Sequence, residues 1–238
     1  MNMDNLVWML VPALVSLSGG VLAMFWHPNH HTRSMVQHFA AGVVLAALAV
    51  ELLPEIGREH APAWVLIGAF ALGSLFMYAM KLWTMRLEAN EAAADESKLN
   101  HGLLIATFID IAVDGFIIGT GFAAGGETGF VLALGLSVEL LFLGLSLTSE
   151  STKGWRIVAL SALLGLTVLG CALLGSILLS GASNAVIAAA LAFSAAALLY
   201  LVTEELLIEA HEVEEKPIST LILFAGFLVF WSIQLLGS

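Results

Sequence analysis

Two aspartates, Asp110 and Asp114, lie four residues apart in an otherwise apolar segment that reads FIDIAVDGFIIG. Residues four apart on a helix share a face, with Cβ atoms about 5–6 Å from each other. Two carboxylates placed in this way repel each other unless one of them holds a proton or a cation lies between them. The spacing therefore indicates either a cation-binding pair or a protonated, hydrogen-bonded pair.

Three further acids, Glu51, Glu139 and Glu205, also occur within or at the end of apolar segments. A charged side chain at the centre of a membrane costs about 2.5–3.5 kcal/mol on insertion scales. We expect no Lys or Arg to lie deep enough to neutralise these acids or the neighbouring Glu204, which we expect to face water. Acids clustered without fixed counter-charges predict a cation site.

The elements that must position these acids are membrane-spanning helices. The chain is 60% hydrophobic and 11% charged, with a mean hydropathy of +0.97, which is typical of a polytopic membrane protein. A helix needs about 20 apolar residues to cross the hydrocarbon. Eight segments of this kind are predicted, roughly at 5–25, 35–56, 62–84, 100–124, 128–148, 156–180, 183–209 and 217–237. The predicted fold class is all-α, with the whole of 1–238 forming one transmembrane domain.

The basic residues predict the orientation, because loops rich in Lys and Arg stay in the cytoplasm. One group flanks the loops after spans 1, 3, 5 and 7: Arg33, Lys81, Arg86, Lys98, Lys153, Arg156 and Lys216. Only Arg58 falls on the opposite side. We therefore expect both termini to be extracytoplasmic, the polar loop at about 85–99 to be cytoplasmic, and the protein to reside in the plasma or inner membrane.

The charge argues against nucleic-acid binding, and the cysteine content argues against disulfides and cysteine-based metal sites. The net charge of −11 is unsuited to nucleic acid, since a phosphate-binding surface needs clustered cations. The single Cys171 lies within span 6, so neither a disulfide framework nor a cysteine-based metal site is expected.

Spans 2 and 7 resemble each other in sequence. AAGVVLAALAVELLPE at 40–55 aligns with SAAALLYLVTEELLIE at 194–209, which places Glu51 opposite Glu205. With the expected orientation the two spans run in opposite directions, as in the inverted repeats of many transporters. We predict a 3+2+3 plan with one repeat at about 1–84, a central pair at about 100–148 and a second repeat at about 156–238.

These segments resemble the ZIP family of divalent metal transporters along the whole chain. ELLPE in span 2 is similar to the family's His-Leu-Leu-Pro-Glu, with Glu51 in the His place. Asp110, Ile111, Asp114 and Gly115 fall on the family's His-Asn-x-x-Glu-Gly signature. Span 5 resembles the second signature, with Glu139, Leu140, Leu143 and Gly144 at the corresponding places, and EELLIE in span 7 puts Glu205 on an acidic ligand position. The resemblance implies eight helices, extracytoplasmic termini and inward transport of a divalent metal by alternating access, without enzymatic activity.

The chain departs from the family at its ligand positions, since no His occupies a transport-site place and Ile111 and Leu143 are apolar. The set that remains is one oxygen-rich site, formed by Asp110, Asp114 and Glu139 with Glu51 and Glu205 as additions. Carboxylates suit hard cations such as Mn²⁺, whereas Zn²⁺ is the metal that the resemblance implies and also accepts carboxylates. The expected substrate is therefore Zn²⁺, Mn²⁺ or Fe²⁺, and no organic cofactor is expected.

Two alternatives stay open at this point. One is a ZIP-like protein that senses metal or couples to protons without transporting metal. The other is an intramembrane aspartyl protease, although its two catalytic acids would come from facing helices. The expected partners are a divalent metal ion and the lipid bilayer, with a homodimer as one candidate assembly. His38 and His211, near the cytoplasmic ends of spans 2 and 7, are candidates for contact with an exiting ion.

Overall fold

A computed structural model of the chain describes residues 3–26, 29–92, 101–146, 155–211 and 217–237. All regular structure within these ranges is helical, and eight helices are long and apolar enough to cross a membrane. They are α1 (Met3–Phe25), α2 (30–58), α3 (Ala63–Ala92), α4 (His101–Ala124), α5 (Gly126–Ser146), α6 (Trp155–Leu178), α7 (184–211) and α8 (Pro217–Gly237). The prediction of an all-α protein is confirmed for the described residues, and the eight helices fit the predicted multi-pass membrane protein.

Predicted boundaries differ from the structure at the start of α2, which begins at His30 rather than at about 35, and most clearly at the end of α3. The loop expected at about 85–99 is helical over its first half, because α3 continues to Ala92. The sequence of this extension, RLEANEA, contains good helix formers such as Leu, Glu and Ala. A polar segment of this kind continues a helix into water as readily as it ends one. Residues 93–99, the second half of the predicted loop, lie outside the described residues.

The helices differ in how far the bundle covers them. The apolar windows of α2 and α5 are each 61% buried, and that of α7 is 56% buried. By contrast, α3 and α8 are only 11% and 17% buried, and their exposed Leu, Phe and Trp side chains suit contact with lipid. The acids predicted to bind metal therefore occur on α2, α4, α5 and α7, which are the four most buried helices.

The helices pack in a regular set of pairs. The most extensive contacts join α4 to α6, α1 to α5, α2 to α8, α1 to α6 and α3 to α7. This set of pairs stays the same when α1 is exchanged with α6, α2 with α7, α3 with α8 and α4 with α5. The α4/α6 pair thus corresponds to the α5/α1 pair, and α2/α8 corresponds to α7/α3.

Glycines bring several of these pairs into backbone contact. A Cβ atom added at Gly119 would lie 2.2 Å from the carbonyl oxygen of Ala172 on α6, and one at Gly42 would lie 1.9 Å from that of Leu223 on α8. On α1, a Cβ atom at Gly19 would lie 2.4 Å from the carbonyl oxygen of Leu141 on α5. Such close approach requires a residue without a side chain, as in other membrane helix pairs.

Both α2 and α7 contain a π-helical turn at matching places. The turns are Ala47–Leu52 in α2 and Val202–Leu206 in α7, and the alignment of the two segments superimposes their last residues. A π turn inserts one residue into an α-helix and is frequent at functional sites. Glu51 and Glu205 are the penultimate residues of the two turns, so the same local distortion presents each acid.

Candidate metal centre

Helix α4 places Asp110 and Asp114 on one face, as their spacing predicts. Asp114 is buried, with 2% of its surface exposed, and Asp110 is half-buried. Helix α5 packs beside α4 and contributes Glu139, which is also 2% exposed. One carboxylate oxygen from each of the three acids lies within 4.8 Å of the others. We call Asp110, Asp114 and Glu139 the acid triad.

The triad has the dimensions of a cation site. Oxygen ligands at about 2.0–2.6 Å from a single metal ion are separated from each other by about 3–5 Å. The upper limit of 4.8 Å within the triad is compatible with these separations. A dication at the centre would neutralise carboxylates that otherwise repel each other in surroundings of low dielectric. The described residues therefore contain one buried cluster with the oxygen-rich chemistry that the sequence predicts.

Glu205 lies beside the triad rather than within it. Its carboxylate interacts electrostatically with Asp114, and it lines the same cavity as Asp110. This cavity has a volume of about 280 Å³ and extends from the triad toward Thr84 and Ala106. We call it the inner cavity, because the orientation predicted from the basic residues places that end of the bundle on the cytoplasmic side. Asp110 and Glu205 thus border the same space.

Glu51 occupies a different environment at the opposite end of the bundle. Its carboxylate accepts hydrogen bonds from the Thr128 hydroxyl on α5 and from the Gln234 amide on α8, each 2.8 Å long. The residue is buried, with 6% of its surface exposed. Glu51 is not part of the cluster that the triad forms, so the structure does not bring together all five acids predicted to bind metal. We call Glu51, Thr128 and Gln234 the outer network.

A proline explains part of the outer network. Pro54 has no N–H group to donate to the carbonyl of Val50, four residues earlier. The Gln234 amide donates to that carbonyl at 3.1 Å, in addition to its bond with Glu51. Rather than ending at Pro54, α2 continues to Arg58. A polar side chain from α8 thus compensates for the donor that proline removes.

The expectation that no cation reaches the acids was wrong for Glu204. The Lys81 ammonium on α3 forms an ion pair with the Glu204 carboxylate, and both residues line the inner cavity. The physical reason is the length of the lysine side chain, whose apolar stem can follow a helix while its charge reaches a polar region. Glu204 itself is exposed, as expected. The positive charge also lies over the ring of Tyr200.

Sequence reasoning missed three polar residues near the acids: Thr128, Gln234 and Lys81. A signal existed for Gln234, because an amide in the apolar span 8 needs a partner just as the carbonyl released by Pro54 needs a donor. No local sequence pattern indicated that the Gln234 amide donates to the Val50 carbonyl, since 184 positions separate the two residues. Of the two apolar residues at ligand positions, Ile111 is fully buried and Leu143 lines the inner cavity.

The sequence was also compared with known proteins. No family model matches the chain, and no curated protein matches it. The similarity to the ZIP family therefore remains a resemblance carried by the residues quoted above.

Proposed function

We propose that this chain is a membrane transporter that moves a divalent metal ion into the cytoplasm by alternating access, and that it is a divergent relative of the ZIP family. The observation that carries the proposal is the acid triad, in which three carboxylates from two membrane-spanning helices converge at one end of a cavity. Converging buried acids of this kind are expensive unless a cation neutralises them. The proposed location is the plasma or inner membrane, with both termini extracytoplasmic.

The packing of the helices supports an inverted repeat. The set of helix pairs is unchanged when helices 1–3 are exchanged for helices 6–8 and α4 for α5. The π turns of α2 and α7 coincide in the alignment. Transporters built from inverted repeats bind their substrates near the membrane midplane, where the repeats meet. The triad lies on α4 and α5, the two helices that the exchange converts into each other.

The chemistry of the ligands bears on the choice of ion. A site made only of oxygen ligands suits Mn²⁺. Imidazole and thiolate ligands instead favour Zn²⁺ or Cu²⁺. We place Mn²⁺ first among the proposed substrates, followed by Fe²⁺ and Zn²⁺. Apolar side chains at Ile111 and Leu143 favour a single bound ion at the triad over a two-metal centre.

The geometry gives little support to an aspartyl protease. Asp110 and Asp114 are neighbours on one helix, and the acid that faces them across the helix pair is a glutamate. A protein that binds metal without transporting it has the same triad, so only a measurement of flux separates that alternative from transport.

The deciding experiment reconstitutes the protein in liposomes and measures the flux of Mn²⁺, Fe²⁺, Zn²⁺, Cd²⁺ and Mg²⁺ separately. We expect flux of at least one transition metal and its loss in Asp114→Ala. Thr120→Ala is the matched control, because Thr120 is buried on the same helix and its hydroxyl bonds to the Phe116 carbonyl.

Two results would count against the proposal, one against the role of the triad and one against transport. Flux in Asp114→Ala at the level of the native protein would remove the triad from the path. Binding of metal by the native protein without flux of any of the five ions would favour the sensing alternative.

A further inference from the structure

Two histidines from different helices meet at the end of the bundle that carries the inner cavity. His38 lies on α2 and is buried, with 4% of its surface exposed, whereas His211 is the last described residue of α7 and is exposed. Their ring centres are 5.4 Å apart, and the ring planes are inclined by 51°. The Ser34 hydroxyl donates to the carbonyl of Ala210 at 2.7 Å and holds the two helices together beside the rings.

Hydrogen bonds determine which nitrogen of each ring carries a proton. Nδ1 of His38 lies 2.8 Å from the carbonyl oxygen of Ser34, and Nδ1 of His211 bonds to the carbonyl oxygen of Leu207. A carbonyl oxygen can only accept, so Nδ1 is the donor in both rings. In the neutral rings Nε2 then carries the lone pair. Metal-ligating histidines have this arrangement, in which one ring nitrogen donates to a carbonyl and the other binds the metal.

The distance between the rings suits a shared ion. Imidazole nitrogens bind Zn²⁺ at about 2.0–2.1 Å, so two imidazoles on one tetrahedral ion have ring centres about 5 Å apart. The observed 5.4 Å is close to that separation. Since His211 is exposed, an ion from the aqueous side could reach the pair.

We propose that His38 and His211 form a second metal site, which takes a borderline cation such as Zn²⁺ through two imidazoles, with water completing the coordination. The site differs in chemistry from the acid triad, because nitrogen ligands favour Zn²⁺ whereas carboxylates suit Mn²⁺. Binding of an ion joins α2 to α7 at one end of the bundle. The proposal stands independently of transport, since it concerns binding at residues outside the triad.

The experiment measures Zn²⁺ and Mn²⁺ binding to the full-length protein in detergent by equilibrium dialysis. X-ray absorption at the zinc edge counts the coordinated imidazoles in the same samples. We expect Zn²⁺ to occupy one more site than Mn²⁺. In His211→Gln the affinity of that additional site should fall about tenfold or more, and imidazole scattering should decrease. Since His211 is exposed, this variant separates loss of a ligand from misfolding, and His38→Gln should reproduce its effect.

The matched control is His60→Gln. His60 is also exposed, and its Nδ1 also bonds to a backbone carbonyl, that of Arg58, but it lies at the opposite end of α2. We expect this variant to bind Zn²⁺ like the native protein. Unchanged Zn²⁺ stoichiometry and imidazole scattering in His211→Gln would overturn the proposal, and so would an equal loss in His60→Gln. Neither readout depends on metal flux or on Asp114, so this proposal and the transport proposal can fail separately.

Discussion

Glu51 and Glu205 occupy matching places in α2 and α7, yet their surroundings are opposite. Each is the penultimate residue of a π turn, and the alignment of the two helices superimposes them. Glu51 is enclosed and accepts hydrogen bonds from Thr128 and Gln234. Glu205 lines the inner cavity beside Asp110. Similar local sequences therefore present one acid to a closed network and the other to a space that water or an ion can enter.

The difference is the one expected of a transporter open on a single side. In an alternating-access cycle only one half of the path is open at a time. The outer network would then represent the closed half, and the inner cavity the open half. Under the proposed transport function, the matching place of the two acids predicts that their roles exchange when the other half of the path opens. Three changes to side chains test the contrast, and they are given in order of expected effect.

Replacing Glu139 by Gln should have the largest effect. The substitution preserves shape and removes one of three negative charges, so we expect Mn²⁺ affinity to fall on the order of 100-fold, about 2.7 kcal/mol. Without metal the variant should unfold at the same temperature as the native protein or higher, because repulsion within the triad decreases. Mn²⁺ titration followed by electron paramagnetic resonance, combined with thermal unfolding, measures both quantities.

Glu127→Gln is the control for this change. Glu127 is an exposed acid on the same helix, so its substitution should leave both quantities unchanged. Native Mn²⁺ affinity in Glu139→Gln would show that the triad does not bind the ion.

Replacing Glu51 by Gln should lower stability rather than Mn²⁺ affinity, which is the reverse of the effect expected for Glu139→Gln. The new amide nitrogen is a donor and would face the Thr128 hydroxyl or the Gln234 amide, both of which donate to Glu51. We expect a loss of about 1–3 kcal/mol in stability, with Mn²⁺ affinity at the triad nearly unchanged.

A double variant sharpens this result. Changing Gln234 to Leu in the Glu51→Gln protein should cost less than the sum of the two single changes, because both act on one network. Thermal unfolding of the four proteins gives the coupling. Additive losses, or a strong fall in Mn²⁺ affinity, would contradict the separation between the outer network and the triad.

Replacing Lys81 by Ala should have the smallest effect. The ammonium is the positive charge that lines the inner cavity within the described residues, so its removal should increase the affinity for cations. Because both partners of the Lys81–Glu204 pair are partly exposed, we expect about 0.2–1 kcal/mol, roughly 1.5- to 5-fold in Mn²⁺ affinity. High salt should reduce the difference.

Arg86→Ala provides the comparison for this charge. Arg86 is exposed on the same helix and does not line the cavity, so its loss should matter less than that of Lys81. An equal increase in both variants would indicate a general surface effect rather than a contact in the cavity.

The sequence was sufficient to predict the eight spans and the convergence of the triad. The spans and the shared face of Asp110 and Asp114 follow from local rules, since hydropathy gives the length of a span and a spacing of four gives the shared face. That Glu139 meets them required the further inference that α4 and α5 are adjacent, which their short connection at Gly125 makes natural.

The remaining features depend on long-range packing. A π turn adds a single residue, which leaves no mark in the hydropathy of segments as apolar as 47–52 or 202–206. The bonds of Gln234 and the reach of Lys81 depend on which helices become neighbours. The extension of α3 to Ala92 was missed because polarity was interpreted as a loop, although the residues favour a helix.

The glycine contacts have a mechanical consequence for the triad. At Gly115 and Gly119, α4 packs in close backbone contact with α6. At Gly19 and Gly144, α1 and α5 pack against each other in the same way. Asp110 and Asp114 thus belong to one interlocked helix pair and Glu139 to the other. An ion bound by all three acids would connect the two pairs of helices. Sliding of one pair against the other by even an ångström would break this connection, so release of a bound ion and rearrangement of the bundle would be a single event.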